Sequence, residues 1–342
     1  MNNFISKLSK KYNILIPFSE EPEKGENSYS LDKEGNIAAL YLNDANIQNL
    51  DVLLPISDKL EVLSVRNCSI DRIENPLTFS NLKKLVLVGD SFKQSAIDNL
   101  IQLQNLVELD LNLTEITDSS PLGELTNLRR LDLSFNAELN EIKGLEKLKS
   151  LEELQLQFSE IDDLKKIAVH ENIQSMSFNA GGISRISSLE KYPNLTELVL
   201  SGNKISKIEG LDHLKKLHRL SLCYNSIDKI EELNSLVNLE ILDLSGQEIK
   251  KIEGLDSLIN LKKLNLLGNE ISKVENLENL KKLEYLLLDG NTISEFDPTF
   301  LNNLNSPCYI SLIANPITHL DVEIPDNITV QFETDHWVPR FI

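Results

Sequence analysis

The chain has 342 residues, 41% of them hydrophobic and 25% charged, a balance that excludes a disordered polar chain and predicts a folded one. Its 53 acidic and 34 basic residues give a formal net charge of −19, which argues against nucleic acid or an anionic membrane as a partner. Cys68, Cys223 and Cys308 are the only cysteines, too few and too widely spaced for a disulfide framework or a paired-cysteine metal site.

In chain order, the first predicted element is a helix over residues 2–12, with Phe4, Ile5, Leu8 and Tyr12 on one face and Lys7, Lys10 and Lys11 elsewhere around it. It reads as a cap. A basic helix lying on a membrane surface is the alternative, and the acidic body argues against it. The early apolar run Ile14–Phe18 is too short for an export signal, and no later run approaches the roughly 18 residues of a membrane span. These features predict a soluble, cytoplasmic protein. Glu20 to Asn27 reads as a polar loop. Tyr29–Asp32 and Ile37–Leu42 flank Lys33-Glu34-Gly35-Asn36, a hairpin signal that adds one antiparallel strand. Residues 1–36 are therefore expected to form an N-terminal cap.

From residue 37 the sequence repeats. The pattern L-x-x-L-x-L-x-x-N-x-I begins at Ile37, Leu60, Leu82, Leu106, Leu128, Leu151, Ile173, Leu195, Leu217, Leu239, Leu261, Leu283 and Pro307, thirteen units spaced by 22 to 24 residues. Between units the apolar positions recur every third residue, as in Ile205, Ile208, Leu211, Leu214 and Leu217, which predicts a short extended or 3₁₀-like return leg. One unit buries about six aliphatic side chains at roughly 1.5 to 3 kcal/mol each, less than the cost of ordering its backbone at about 1 to 2 kcal/mol per residue. Stability must then come from stacking. The expected fold is an α/β repeat solenoid with a parallel sheet on its concave side, 3₁₀ or extended legs on its convex side and one continuous leucine core over residues 37–320.

Position nine of each unit lies where the strand turns, and a side chain that bonds the turn's backbone should recur there. Asn136, Asn203, Asn225, Asn269, Asn291 and Asn315 meet the demand; Cys68, Asp90, Thr114, Ser159 and Gln247 are weaker substitutes, and Ala45 and Gly181 can supply no such bond. The unit with Gly181 also carries Met176 and Phe178 in place of leucines, with His170 and Tyr192 at leucine positions of the neighbouring legs. Two outcomes remain open there: a local change in curvature, or repacking of the core.

Segments such as 195–214, Leu-Thr-Glu-Leu-Val-Leu-Ser-Gly-Asn-Lys-Ile-Ser-Lys-Ile-Glu-Gly-Leu-Asp-His-Leu, resemble the 22-residue subclass of leucine-rich repeats found in bacterial internalins and in the nuclear regulator of protein phosphatase-1. The resemblance covers roughly residues 37–320. It implies an arc whose concave sheet binds another protein, and no catalytic activity for the repeats. It also admits a regulatory subunit of a phosphatase or other signalling enzyme.

Beyond the repeats, residues 321–342 read as a C-terminal cap, with Trp337 as its plug. Sites for chemistry are sparse. His170-Glu171 begins like a zinc-protease helix but meets Gln174 where the second histidine belongs. His213 and His218 are poorly spaced for one metal. His319, Asp321, Asp335 and His336 could meet near the C-terminus, or simply form a solvated cap. Cys223 falls on the predicted concave face, with no histidine or asparagine beside it in an obvious catalytic arrangement. The expectation is a non-enzyme with no cofactor, metal or small-molecule substrate.

Side chains alternate along a strand, so positions three, five and seven of each unit face outward and form lateral ladders. Position three reads Lys84, Glu108, Arg130, Glu153, Ser175, Glu197, Arg219, Ile241, Lys263, Tyr285, Tyr309, whose charges largely alternate and should pair with one another. At position five Asp110 and Asp132 are adjacent like charges, which destabilise a sheet unless they await a basic partner group; Arg130 is the internal counter-ion otherwise available. In the last four units Ile241, Leu267, Tyr285, Leu287, Tyr309 and Ile313 predict an exposed apolar patch suited to a protein or peptide partner, unless the C-terminal tail folds back over it. Phe135 and Phe158, joined by Leu113, should pair at the strand ends of neighbouring units, either lining a rim or packing into the turn core.

Overall fold

The computed structural model describes residues 2–20, 26–68, 70, 73–89, 92, 94–320 and 323–332. The chain forms two compact units, Met1–Ile161 with Lys166–Ile173, and Asp162–Lys165 with Gln174–Ile342.

The first unit carries helices α1 (Asn2–Tyr12) and α2 (Ile97–Leu100) and strands β1 (Ser28–Leu31), β2 (Ile37–Asn43), β3 (Val62–Arg66), β4 (Lys84–Val88), β5 (Glu108–Asp110), β6 (Arg130–Asp132), β7 (Ile142–Leu145), β8 (Glu153–Gln155) and β9 (Ile167–Val169). Its main sheet runs β1-β2-β3-β4-β5-β6-β8. The β1–β2 pair is antiparallel, as the hairpin signal predicts, and the pairs from β2 onward are parallel. Asp32 shapes the hairpin by accepting from the Glu34 and Asn36 amides at 2.9 and 2.8 Å. The expected helix α1 buries Ile5 and Leu8 and half-buries Phe4 and Tyr12.

The second unit carries β10 (Ser175–Ser177), β11 (Glu197–Val199), β12 (Arg219–Ser221), β13 (Ile241–Asp243), β14 (Lys263–Asn265), β15 (Lys273–Val274), β16 (Tyr285–Leu287), β17 (Glu295–Phe296), β18 (Cys308–Ser311) and β19 (Ile328–Gln331). The sheet order is β10-β11-β12-β13-β14-β16-β18-β19, and its pairings are parallel. Strand β19 continues the sheet beside β18, with Cys308 opposite Ile328 and Ser311 opposite Gln331. The described part of the tail therefore extends the sheet instead of folding over its face. Trp337 and the acid and histidine residues Asp321, Asp335 and His336 lie outside the described residues, as does Asp90.

Most strands of the main sheet span only positions three to five, and the inward positions four and six are apolar. Within one repeat Leu217, Leu220 and Leu222 are fully buried, and so are Leu211 and Leu214 of the leg that leads into it. The three-residue spacing of the legs has a hydrogen-bond cause. The Leu214 amide donates to the Leu211 carbonyl, and the Leu217 amide to the Leu214 carbonyl, both at 3.0 Å. Such i to i−3 bonds keep the apolar residues on one face. Regular 3₁₀ segments form in some legs, among them Leu50–Ile56, Ser120–Glu124 and Pro298–Asn303.

The position-nine asparagines bond their own turn, and they also reach one repeat back. Asn203 donates to Leu200 O at 3.0 Å in its own turn and to Phe178 O at 2.7 Å in the preceding repeat, while its oxygen accepts from the Ile183 amide at 3.1 Å. Asn225, Asn269, Asn291 and Asn315 repeat this pattern. Buried peptide groups thereby find partners where the strand ladder ends. Gln247 makes only the backward bonds, to Leu222 O and from the Ile227 amide. Around Gly181 the substituted side chains Met176, Phe178 and Tyr192 are all buried in the core.

Candidate functional site

On the outward side of the first unit, position three is neutralised internally. Lys84 and Arg130 each approach Glu108 at 2.7 Å, and Arg130 also reaches Glu153 at 3.3 Å. Burial pushes the Glu108 carboxyl up, but Lys84 and Arg130 outweigh it and hold it below the usual carboxylate range. In the second unit Arg219 pairs with Glu197 at 3.2 Å.

Asp110 and Asp132 are register partners on β5 and β6. The counter-ion of Asp110 is Arg66, at 3.2 Å, and not Arg130, whose guanidinium is held between two glutamates on its own ladder. Burial, and after it the Asp132 carboxylate, raise Asp110 above the usual carboxylate range despite Arg66. Both aspartates also serve the fold. Asp110 accepts from the Asn112 amide at 3.0 Å and Asp132 from the Ser134 amide at 2.8 Å. Asp243 and Asn265 do the same for Ser245 and Leu267. In these four repeats position five supplies a short side-chain acceptor for the amide two residues on. The pair lines a pocket of about 280 Å³ together with Arg66, Lys84, Glu108, Arg130 and Gln155.

Position eight is left-handed in both units. Leu113, Phe135 and Phe158 have φ of 54°, 59° and 52°, and Tyr224 has 53°, where Gly202, Gly246, Gly268 and Gly290 occupy the same position elsewhere. The turn aims the position-eight amide at the next repeat, as in Phe135 N to Gln157 O at 2.7 Å. A side chain in this conformation costs about 1–2 kcal/mol, and a bulky one there is a genuine outlier. These side chains are not packed in the turn core: Leu113, Phe135 and Phe158 are 46%, 41% and 50% exposed. Phe135 and Phe158 stack with centroids 4.5 Å apart and planes 22° apart, so of the two fates open to them it is the rim that they line. Tyr224, which the sequence reading missed, is 65% exposed. Its ring lies so close over Gly246 that a Cβ there would come within 2.6 Å. The recurrence of glycine at position eight was the signal for the left-handed turn.

On the second unit Tyr285 and Tyr309 are half-buried with ring centroids 6.4 Å apart, and the Lys263 ammonium lies 5.2 Å from the Tyr285 centroid. Ile241 and Ile313 are half-buried and Leu267 is 37% exposed. Leu287 departs from the exposed patch expected for it. It faces outward but is only 4% exposed, as its register neighbours Asn265 and Ser311 are buried too. It therefore underlies the surface instead of forming part of it. The Tyr309 hydroxyl donates to the Gln331 side-chain oxygen, tying β19 to this surface. Below the tyrosines, Glu284, Pro307, Asn327 and Thr329 complete a recess of about 420 Å³.

Among the described residues no group of three or more histidine, cysteine, aspartate or glutamate side chains is placed to hold a metal ion, and no helix is long and apolar enough to cross a membrane. Cys68 and Cys308 are buried and Cys223 is half-buried, all three unpaired.

Residues 215–257 match the family model described as leucine-rich repeats in two copies, and residues 282–304 the model of a single leucine-rich repeat. No curated protein matches the chain. Among solved structures, the chain is similar to an internalin, inlF, from Listeria monocytogenes, with 25% identity, a TM-score of 0.71 and coverage of 87% of each chain. It is also similar in fold to the functional domain of InlJ from Listeria monocytogenes (16% identity, TM-score 0.51, covering 78% of this chain and 66% of that one). A TLR13–ssRNA13 complex is a third such structure (17% identity, TM-score 0.55, covering 84% and 56%). The last two likenesses concern the fold alone.

Proposed function

We propose that this chain, a leucine-rich-repeat protein with an internalin-like fold, is a non-catalytic binding module that takes a protein or peptide segment on the outward side of its sheet. The observation that carries this reading is the run of Ile241, Leu267, Tyr285, Tyr309 and Ile313 on that side of the second unit; Ile241, Tyr285 and Tyr309 stand at position three, which elsewhere holds self-paired charges. Aromatic and aliphatic side chains gathered at a surface are the usual anchors of protein interfaces. In the first unit Asp110, Asp132, Phe135 and Phe158 add acidic and aromatic contacts. The RNA in the TLR13 structure belongs to that protein; here a net charge of −19 favours a protein partner over a nucleic acid. Three unpaired cysteines support a reducing, cytoplasmic setting.

Affinity capture from native lysate tests the reading. The wild-type chain is expected to retain a specific protein that a Tyr285→Ala/Tyr309→Ala variant loses while melting as a folded protein. Equal capture by the folded variant would rule this surface out.

A further inference from the structure

Leu113, Phe135 and Phe158 follow one another on three consecutive repeats of the first unit, each on left-handed backbone and each exposed. Glycine adopts that conformation freely and stands at the equivalent position in Gly202, Gly246, Gly268 and Gly290, while the short Asp44, Asn67, Ala180 and Ala314 hold it in other repeats. The bulky side chains are therefore kept against a local penalty, and such penalties gather at functional sites. Core packing is not the compensation, because the side chains face solvent. Stacking fixes the two rings against each other, and both remain exposed.

A charge stands close in the chain to this apolar edge. Asp132 lies three residues before Phe135 and is half-buried. It accepts from the Ser134 amide, and among the described residues no basic side chain lies within ion-pair distance of it, whereas Asp110 has Arg66. A ring face and a carboxylate lacking a counter-ion, three residues apart, complement a guanidinium. Its plane stacks on an aromatic ring and its fork fits a carboxylate. The excess of acidic residues over the whole chain steers a cationic partner toward it.

We propose that the edge formed by Leu113, Phe135 and Phe158, together with Asp132, docks an arginine-bearing apolar segment of a protein partner. This rests on the reading of the chain as a binding module and supplies the chemistry of what the first unit binds.

The test is fluorescence anisotropy of the full chain with a short labelled peptide of alternating arginine and leucine, beside its lysine–leucine and glutamate–leucine counterparts. The arginine peptide binds saturably, the lysine peptide more weakly and the glutamate peptide not at all. Phe135→Gly/Phe158→Gly weakens the arginine peptide roughly tenfold or more, as loss of an aromatic anchor does, with no drop in melting temperature. Asp132→Asn weakens it severalfold and flattens its salt dependence. If the glycine variant melts lower, Phe135→Asn/Phe158→Asn replaces it, since asparagine tolerates the same backbone. Unchanged affinity in the folded aromatic variant, equal binding of the glutamate peptide, no binding of the arginine peptide, or its displacement by single-stranded RNA would each overturn the proposal. If Tyr285→Ala/Tyr309→Ala alone loses the peptide, the docking edge is refuted and the binding reading stands.

Discussion

The Asn136 side-chain amide donates to the Leu111 carbonyl, 25 residues earlier, at 2.9 Å. The same amide donates to Leu133 O in its own turn at 2.9 Å, and its oxygen accepts from the Thr114 amide at 3.2 Å and the Ile116 amide at 3.3 Å. One buried side chain thus joins two repeats. Asn136→Ala leaves several buried peptide groups without partners, each worth about 1–3 kcal/mol, and is expected to lower the unfolding free energy by about 3 kcal/mol or more, read by urea denaturation.

Gln247 bonds backward to Leu222 O and Ile227 N and makes no bond to its own turn. Gln247→Asn shortens the side chain to match Asn225 and Asn269 on either side. It is expected to add the missing bond and raise stability by about 1 kcal/mol. A lower urea midpoint would show that the longer side chain fits its site better.

Leu111 and Leu113 stand two residues apart and should respond in opposite ways. Leu111 is fully buried, so Leu111→Ala costs about 2–5 kcal/mol. Leu113 is exposed on left-handed backbone, and Leu113→Gly relieves about 1–2 kcal/mol of strain against about 0.5–1 kcal/mol of added chain entropy. Its unfolding free energy should be unchanged or slightly higher in the same titration.

The raised pKa of Asp110 means that the folded chain holds this proton more tightly than the unfolded chain does. By linkage its contribution is favourable at acid pH and is lost as pH rises from the unfolded value of about 3.9 through the raised folded value. Asp110→Asn removes that dependence while keeping an acceptor for the Asn112 amide. The stability of the variant relative to wild type should therefore climb from about pH 3 to pH 7. A flat difference across urea midpoints in that range would contradict the burial and Asp132 repulsion assigned to this carboxyl.

Burial pushes the Cys308 thiol up to about 12 and raises Cys68 as well. Thiolate is the reactive form, so alkylation at neutral pH should mark half-buried Cys223 first and reach Cys68 and Cys308 only with unfolding. Peptide mapping after timed exposure to iodoacetamide gives the order directly.

The spacing of leucines made the parallel strands, the return legs and the position-nine asparagines legible, because each follows from a fixed period and from backbone groups that must find partners. Other features do not follow from period. A ladder names neighbours but not which long side chain crosses two strands, so Arg66 was not foreseen as the partner of Asp110. Alternation assigns Leu287 to the outward side, yet its exposure depends on the size of the side chains beside it. A second asparagine ladder, just before position one, was also overlooked. Asn105, Asn127, Asn238 and Asn260 donate to Ser80 O, Gln104 O, Lys215 O and Val237 O of the preceding repeats at 2.6 to 2.8 Å. The recurrence of asparagine there was visible, but its reason lies in a gap between repeats that appears only once they are stacked.

The backward reach of the asparagines gives the molecule a direction of wear. Within the second unit, removing the repeat of Asn291 would strip Leu266 O and Ile271 N of their partners, and the newly exposed end would be left with idle peptide groups. Removing a repeat from the opposite side costs the next asparagine only its backward bonds while it keeps its own turn, a lesser loss for a side chain that water can serve. Fraying and proteolytic trimming should therefore advance more readily from the carboxyl side than from the amino side.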